Sequence, residues 1–250
     1  MIVLGNWKMN GNRDLLKGFN SYNKGLLSNS LEGVFPGLLL PYPYLGLAGD
    51  LIPGIKVGAQ DVYPEDEGAI TGAVSGVMLK ELGCHWVCVG HSERRKIFHE
   101  ESEWVAKKCF YVASHGMTPV LCVGEDAVAR SQGRAREVVL EQLKPVFQSN
   151  KPPEDLIIAY EPVWAIGQGR SASMEEIEDM HQCISDYTNN YLAKGASVPI
   201  IYGGSVNPEN AKSIMKVSGV DGFLIGGVSL SPELFCKVVD LCSSYCSSSM

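Results

Sequence analysis

The sequence contains no apolar run long enough to cross a membrane and no excess of basic residues. Its 21 Lys and Arg are outnumbered by 28 Asp and Glu, which gives a formal net charge of −7 and a pI of about 5.3. An acidic balance of this kind speaks against a nucleic-acid surface. The chain also begins without the basic leader and apolar core of a secretory signal. We therefore expect a cytoplasmic protein with no membrane or nucleic-acid partner.

Cysteine occurs eight times, but never in a metal-binding arrangement. There is no C-x-x-C and no Cys/His pairing at zinc-finger spacing, so we expect no metal site. Cys88 and Cys122 stand in apolar runs, which predicts buried, reduced thiols. A Pro-, Ser- or Gly-rich linker is missing as well, so we expect one domain over residues 1–250, frayed at its end from Cys242 onward.

Short apolar runs recur along the chain at intervals that fit β/α units. There are eight of them, at residues 2–7, 37–40, 55–59, 86–89, 118–123, 156–160, 199–202 and 222–225. Most of the gaps carry helical signals, which is the alternation that right-handed crossovers produce. Eight strands with intervening helices in 250 residues predict a single (β/α)8 barrel with parallel strands. A doubly wound sheet is the alternative, but the G-x-G-x-x-G expected after its first strand is missing.

Capping residues mark several helix starts. Ser173 and Glu176 form a capping box that predicts a helix through about residue 192. Two segments combine an N-cap, a proline in the first turn and an acid facing the helix dipole, and so predict two more starts: Asn207-Pro208-Glu209 and Ser231-Pro232-Glu233. The spacing of apolar residues over 103–115 predicts a further amphipathic helix.

Polar residues or glycine pairs follow several of these apolar runs. They are Asn6 and Lys8 after the first run, His91 and Glu93 after the fourth, Glu161 after the sixth, Gly203-Gly204-Ser205 after the seventh and Gly226-Gly227 after the eighth. The carboxyl ends of barrel strands meet at one mouth, where barrel enzymes place their active sites. We therefore expect these residues to converge.

Two of these residues suggest acid–base chemistry. Glu161 ends an apolar strand and precedes Pro162 and a segment hinged by Gly167 and Gly169, as a carboxylate base beneath a closing lid would. His91 stands at the start of a predicted helix, whose positive end should lower the pKa of the imidazole and keep it neutral. A neutral imidazole can polarise a carbonyl and pass on a proton.

The remaining strand-end residues suggest an anionic substrate. Lys8 supplies a fixed cation, and the two Gly-Gly pairs leave backbone amides open to a phosphate. Together with the base and the imidazole, and without a cofactor motif, they fit proton abstraction beside the carbonyl of a small phosphorylated compound. Returning the proton to the neighbouring carbon makes this an aldose–ketose isomerisation.

Five segments of the chain, in order along almost its whole length, resemble one family, triosephosphate isomerase. They are residues 5–10, 90–95, 160–169, 202–206 and 226–230. The resemblance implies a TIM barrel that interconverts dihydroxyacetone phosphate and D-glyceraldehyde 3-phosphate in glycolysis and gluconeogenesis, without a cofactor.

The resemblance also implies a role for each site residue. Glu161 would be the base, His91 the electrophile, Asn6 and Lys8 the substrate-binding pair, and Glu93 the support of Lys8. The residues implied to bind phosphate through their backbone amides are Gly167, Ser205 and Gly227, with Gly226 alongside.

Members of this family are homodimers in which a loop of one subunit packs round the other's active-site rim. The matching stretch here starts at Gln60 and runs through residue 72. Thr71 would reach toward the partner's Asn6, and Met9 would lie in the pocket that this loop makes.

Some positions depart from the family's usual residues. Gln168 replaces a threonine in the lid, which should change the closing rate before it changes catalytic competence. Ala73 replaces an acid that would pair with Arg94 across the dimer, and Asp61 replaces an asparagine near the interface. The arginine that usually pairs with the residue at Asp221 is absent, so this carboxylate is either solvated or bonded elsewhere.

Two other functions fit parts of the pattern. An aldolase-like barrel would use Lys8 as a Schiff-base nucleophile, but Lys8 lies past the strand end beside acids that should keep it charged. A binding or scaffold protein would have lost the base, the histidine or the lid glycines, and the sequence has all of them.

Overall fold

Eight short parallel strands build the fold in a computed structural model that describes residues 1–26, 31, 33–52, 55–149, 151–165 and 171–248. The strands are β1 (Ile2–Asn6), β2 (Phe35–Leu40), β3 (Lys56–Ala59), β4 (Cys84–Val89), β5 (Thr118–Val123), β6 (Ile157–Tyr160), β7 (Ile200–Tyr202) and β8 (Gly222–Ile225). Each pairs in parallel with the next, and β1 also pairs with β8, which closes the sheet into a barrel. The predicted (β/α)8 barrel is therefore confirmed.

Ten α-helices among the described residues connect or follow the strands. They are α1 (Arg13–Leu26), α2 (Tyr42–Leu51), α3 (Gly76–Glu81), α4 (Ser92–Ile97), α5 (Ser102–Ser114), α6 (Ala127–Ser131), α7 (Ala135–Phe147), α8 (Met174–Asn189), α9 (Ala211–Ile214) and α10 (Pro232–Ser248). Both bonds of the predicted capping box at Ser173 and Glu176 are present at the start of α8. In the described part of the chain, no helix is long and apolar enough to span a membrane.

Two helix ends differ from the sequence predictions. α9 begins at Ala211 rather than directly after Asn207, because Asn207 Oδ1 accepts hydrogen bonds from the amides of Glu209 (3.0 Å) and Asn210 (2.9 Å) and holds a turn ahead of the helix. Fraying is predicted from Cys242 onward, but α10 continues through residue 248. The buried Cys242 side chain extends the apolar face of that helix against the core.

Alternating side chains of the strands divide the core into two layers. One cluster contains strand residues only, among them Leu4, Cys88 and Cys122, and fills the barrel interior. The other combines the opposite strand faces, such as Val3, with the apolar faces of the helices. Cys88 and Cys122 are buried and free, as predicted. This packing holds the strand ends, and the residues that follow them, at one mouth of the barrel.

Candidate active site

A cavity of about 340 Å³ opens at the carboxyl ends of the strands. Seven of the predicted site residues line it together: Asn6, Lys8, His91, Glu161, Ser205, Gly226 and Gly227. They follow the carboxyl ends of β1, β4, β6, β7 and β8, so residues from five strand ends meet in one cavity. Gly167 and the rest of the predicted lid at 166–170 lie outside the described residues.

Glu161 is almost fully buried and is held at both carboxylate oxygens. Oε1 lies 2.9 Å from His91 Nε2, and Oε2 accepts a hydrogen bond from the Ser92 amide at 3.0 Å. Burial raises the pKa of Glu161, but the charge and hydrogen bond of His91, the Ser92 amide and the Lys8 charge outweigh it and leave the pKa below its ordinary value. The carboxylate is therefore ionised and ready to accept a proton.

His91 is under opposing influences. Burial lowers the pKa of the ring, whereas the adjacent Glu161 carboxylate raises it, and the net result is a pKa of about 9. The predicted lowering is therefore wrong for this arrangement, because the helix-end argument left out the direct contact with Glu161. The Glu93 amide, however, donates to His91 Nδ1 at 3.2 Å, which requires that nitrogen to be unprotonated. The proton of the ring therefore lies on Nε2, where it is shared with Glu161.

Lys8 is fixed by its backbone and by an ion pair. Its φ of 53° lies in the left-handed region, where a residue with a long side chain is uncommon, and its amide donates to Asn6 Oδ1 at 2.9 Å. Its Nζ lies 2.8 Å from Glu93 Oε1, so the predicted support by Glu93 is present. This ion pair engages the Lys8 nitrogen and so opposes the Schiff-base alternative, which needs a free amine.

Asn6 is oriented by a second donor. Gln60 Nε2 donates to Asn6 Oδ1 at 3.2 Å and to the Leu39 carbonyl at 3.0 Å. Because the Asn6 oxygen is occupied by two donors, its amide nitrogen is the group left for a ligand. The structure thus places Gln60, expected at the dimer interface, in contact with Asn6, a residue of the cavity lining.

Two open backbone amides also belong to the lining of the cavity. The amide nitrogens of Ser205 and Gly227 make no hydrogen bond within the described residues. Gly204 leaves space for the Tyr202 hydroxyl, because a Cβ at position 204 would lie 2.2 Å from Tyr202 Oη. Two open amides in one cavity with the Lys8 ammonium group suit an anion such as a phosphate.

Comparison with known proteins bears on the whole chain. The family model described as triosephosphate isomerase matches residues 1–242. The chain belongs to the triosephosphate isomerase family.

Curated relatives of that name match over nearly their full length. The triosephosphate isomerase of Polynucleobacter necessarius subsp. necessarius (strain STIR1) is 43% identical over 249 residues, covering 95% of this chain and 98% of the relative. That of Legionella pneumophila (strain Lens) is 41% identical over 242 residues, covering 95% and 97%. That of Yarrowia lipolytica is 42% identical over 235 residues, covering 92% and 94%.

Strand-end reasoning missed Glu125, which follows β5 and lies beneath the segment after Glu161. This fully buried carboxylate accepts hydrogen bonds from Trp164 Nε1 (2.7 Å) and Tyr160 Oη (3.2 Å) and pairs with Arg130 (3.0 Å). The Arg130 guanidinium also covers the Trp164 ring at 4.4 Å. The network anchors residues 163–165, a turn of 3-10 helix, next to the candidate base. The same strand-end rule, applied to β5, would have found Glu125.

Of the departures from the family's usual residues, those at positions 61, 73 and 221 lie among the described residues, and Gln168 lies outside them. The acid that would pair with Arg94 across the dimer is replaced by Ala73 in this chain. Arg94 instead pairs within the chain, with Asp61 at 2.8 Å and with Glu100 at 2.7 Å. The buried Lys108 bridges the same two carboxylates, with Nζ 2.6 Å from each. Asp221 is exposed and is also bonded within the chain, since its Oδ2 accepts from the Ile200 amide at 2.8 Å.

Proposed function

We propose that the chain interconverts dihydroxyacetone phosphate and D-glyceraldehyde 3-phosphate through an enediolate, with Glu161 as base and His91 as electrophile. The observation that carries this proposal is the pairing of a buried carboxylate and an imidazole at 2.9 Å, in one cavity with an ammonium group and open amides. Family membership supplies the substrate pair. We propose that this reaction needs no cofactor, belongs to glycolysis and gluconeogenesis, and takes place in the cytoplasm.

The phosphate is seated at the glycine-rich side of the cavity. The amides of Ser205 and Gly227 donate to its oxygens, and Gly226 leaves room alongside, since the nearest atom to a Cβ there is Lys8 Cε at 3.6 Å. The carbonyl and hydroxyl oxygens then face Asn6, Lys8 and the imidazole. From the sequence, we propose that the backbone amide of Gly167 also donates to the phosphate.

Substrate binding must separate Glu161 from its two present partners. A substrate between the carboxylate and the ring frees Oε1 from His91, and Oε2 leaves the Ser92 amide as the side chain turns toward the substrate carbon. Once the carboxylate has moved away, the influence that raises the pKa of His91 is lost. Burial and the amide donating to Nδ1 remain, and both favour the neutral ring.

The reaction consists of two transfers of one proton, first from a substrate carbon to Glu161 and then from Glu161 to the neighbouring carbon. Glu161 removes a proton from the carbon beside the carbonyl, and His91 donates from Nε2 to the oxygen that gains charge, with Lys8 close by to stabilise it. The His91 nitrogen Nε2 then recovers a proton from the neighbouring hydroxyl, which becomes the new carbonyl, while Glu161 returns its proton to the former carbonyl carbon. Glu93 holds Lys8 in place through the 2.8 Å ion pair. A lid over residues 166–170 would exclude water, which otherwise favours loss of phosphate from the intermediate.

Isomerase turnover tests the proposal directly. Glyceraldehyde 3-phosphate isomerisation is coupled to NADH oxidation by glycerol-phosphate dehydrogenase, for the wild type, Glu161→Asp, Glu161→Gln and the exposed control Glu154→Gln. We expect fast wild-type and control turnover, and a loss of about 10²- to 10⁴-fold in Glu161→Gln, with a folded circular dichroism spectrum. No turnover in a folded wild type refutes the reaction, and turnover that is indifferent to Glu161 refutes its role as base.

We further infer a homodimer formed by the cavity rim. Met9 is 97% exposed, next to the catalytic Lys8, and the segment with Thr71 is exposed as well. Burying such an apolar side chain against a second copy is favourable, and Thr71 would then reach the partner's Asn6. Met9→Lys should raise the dimer Kd at least about tenfold in sedimentation equilibrium. The matched control, Val128→Lys at another exposed apolar position, should leave it unchanged, and equal effects would contradict the assignment.

A further inference from the structure

A second cavity lies at the opposite end of the barrel. Its volume is about 300 Å³, close to the 340 Å³ of the active-site cavity. Lys56 and Thr118, the first residues of β3 and β5, line it together with the first three residues of β4. Because all strands are parallel, their amino ends meet at the mouth away from Glu161, so this cavity is separate from the candidate active site.

The lining of this amino-end cavity is basic. Lys56, Lys80 and His85 contribute to it, and no Asp or Glu does. Neither lysine pairs with an acid in the described part of the chain, whereas other lysines do. In a chain of net charge −7, a cavity with two unneutralised ammonium groups creates a local positive potential.

Backbone carbonyls orient two of the three basic side chains, Lys80 and His85. Lys80 Nζ donates to the Gly116 carbonyl at 3.1 Å, which fixes the ammonium at the rim. The His85 Nδ1 lies 3.0 Å from the Gly83 carbonyl, and because a carbonyl only accepts, Nδ1 carries the proton and Nε2 faces elsewhere.

Two further features of the cavity suit an oxyanion: an available hydroxyl donor and open space over the backbone. The hydroxyl of Thr118 makes no hydrogen bond within the described residues, so it is available to donate. At Gly83 a Cβ would meet nothing within 4 Å, which shows open space over the backbone. Trp86, 7% exposed, lines the cavity, and its six-membered ring is fixed against Gly37, where a Cβ would lie 2.2 Å away.

We propose that this amino-end cavity binds a small phosphate-bearing anion. Lys56 and Lys80 supply the charge, Thr118 donates a hydrogen bond, and the volume admits a compound as large as a triose phosphate. The site is independent of the isomerase reaction, because none of its residues lines the active-site cavity. Its ligand is recognised through the phosphate group.

Site-resolved titration with inorganic phosphate tests the proposal. Amide and indole NMR spectra of ¹⁵N-labelled protein are recorded at constant ionic strength, with chloride as the comparison salt, so that general screening is the same throughout. We expect saturable shifts at the Gly83 and Gly116 amides and the Trp86 indole. A separate set of shifts at Ser205 and Gly227 reports phosphate in the active site.

Three variants assign the effect to the cavity. Lys56→Glu removes no hydrogen bond of the fold and should abolish the shifts at Gly83 and Trp86, and Lys56→Gln with Lys80→Gln should do the same. The control Lys212→Gln with Lys237→Gln removes two exposed lysines elsewhere and should leave these shifts intact.

Activity separates this proposal from the isomerase proposal. Turnover and phosphate shifts at Ser205 should be unchanged in every one of these variants. The proposal is overturned if phosphate produces no saturable shift at Gly83 or Trp86 in the wild type, if chloride produces the same shift, or if Lys56→Glu retains it.

Discussion

Replacing Lys108 with methionine should destabilise the protein far more than the same change at its neighbour Lys107. The Lys108 side chain is 2% exposed, and its Nζ lies 2.6 Å from both Asp61 and Glu100. Lys107 is 52% exposed and lies 3.8 Å from Glu65. Removing one partner of a buried charge pair costs about 3–5 kcal/mol, whereas an exposed pair contributes about 0–1 kcal/mol.

For a chain of this size, the Lys108→Met loss corresponds to a fall in Tm of roughly 6–20 °C. Urea unfolding followed by circular dichroism gives the unfolding free energy of both variants. All samples have the same chain concentration, since dimerisation would make the apparent stability depend on concentration. Comparable losses in Lys107→Met and Lys108→Met would refute the reasoning, because they would show that burial of the cluster does not determine its contribution.

The pH dependence of this loss has a defined sign. Burial raises the pKa of Asp61, while Lys108 and Arg94 act in the opposite direction. A raised folded-state pKa means that stability is present at low pH and is lost as pH rises through that pKa. Removing Lys108 raises it further, so the deficit of Lys108→Met should be smaller at about pH 5 than at about pH 7.5.

Two other substitutions test the geometry around the base. Gly124→Ala would place a Cβ 1.7 Å from the Glu161 carbonyl oxygen, so it should cost at least about 3 kcal/mol in urea unfolding. Gly49→Ala, in a helix with nothing within 4 Å, should be neutral or stabilise by about 0.4–1 kcal/mol, and similar effects of the two would contradict the structure. His91→Asn removes the Nε2 donor that lies 2.9 Å from Glu161 and leaves a buried carboxylate oxygen without it, so it should lower the unfolding free energy by about 1–3 kcal/mol. An unchanged unfolding free energy would show that the pair with Glu161 does not form.

The fold was predictable because each strand of the barrel is buried on both faces and therefore reads as a short apolar run. The strand ends then placed Asn6, Lys8, His91 and Glu161 at one mouth, since parallel strands all end on the same side. Local sequence was sufficient for these features. It was also sufficient for the capping box of α8, which depends on residues three apart.

Features that depend on side-chain packing were not predictable in this way. The contact of His91 with Glu161 joins residues 70 positions apart, and it reverses the expected direction of the His91 pKa. Lys108 contacts Asp61, which is 47 positions away in the chain. Asp61, which replaces the family's usual asparagine, therefore belongs to a charge cluster around a buried lysine. No periodicity or motif signals either contact.

Hydrogen isotope exchange tests the central claim, that Glu161 carries a proton between neighbouring carbons. Dihydroxyacetone phosphate is converted in D₂O, and deuterium is measured in the product and in the recovered substrate, for the wild type and Glu161→Gln. We predict deuterium at the carbon beside the carbonyl with the wild type, and a joint fall of turnover and incorporation by about 10²- to 10⁴-fold in the variant. Wild-type turnover without any deuterium incorporation, as a direct hydride shift would give, or undiminished incorporation by Glu161→Gln, would contradict the account.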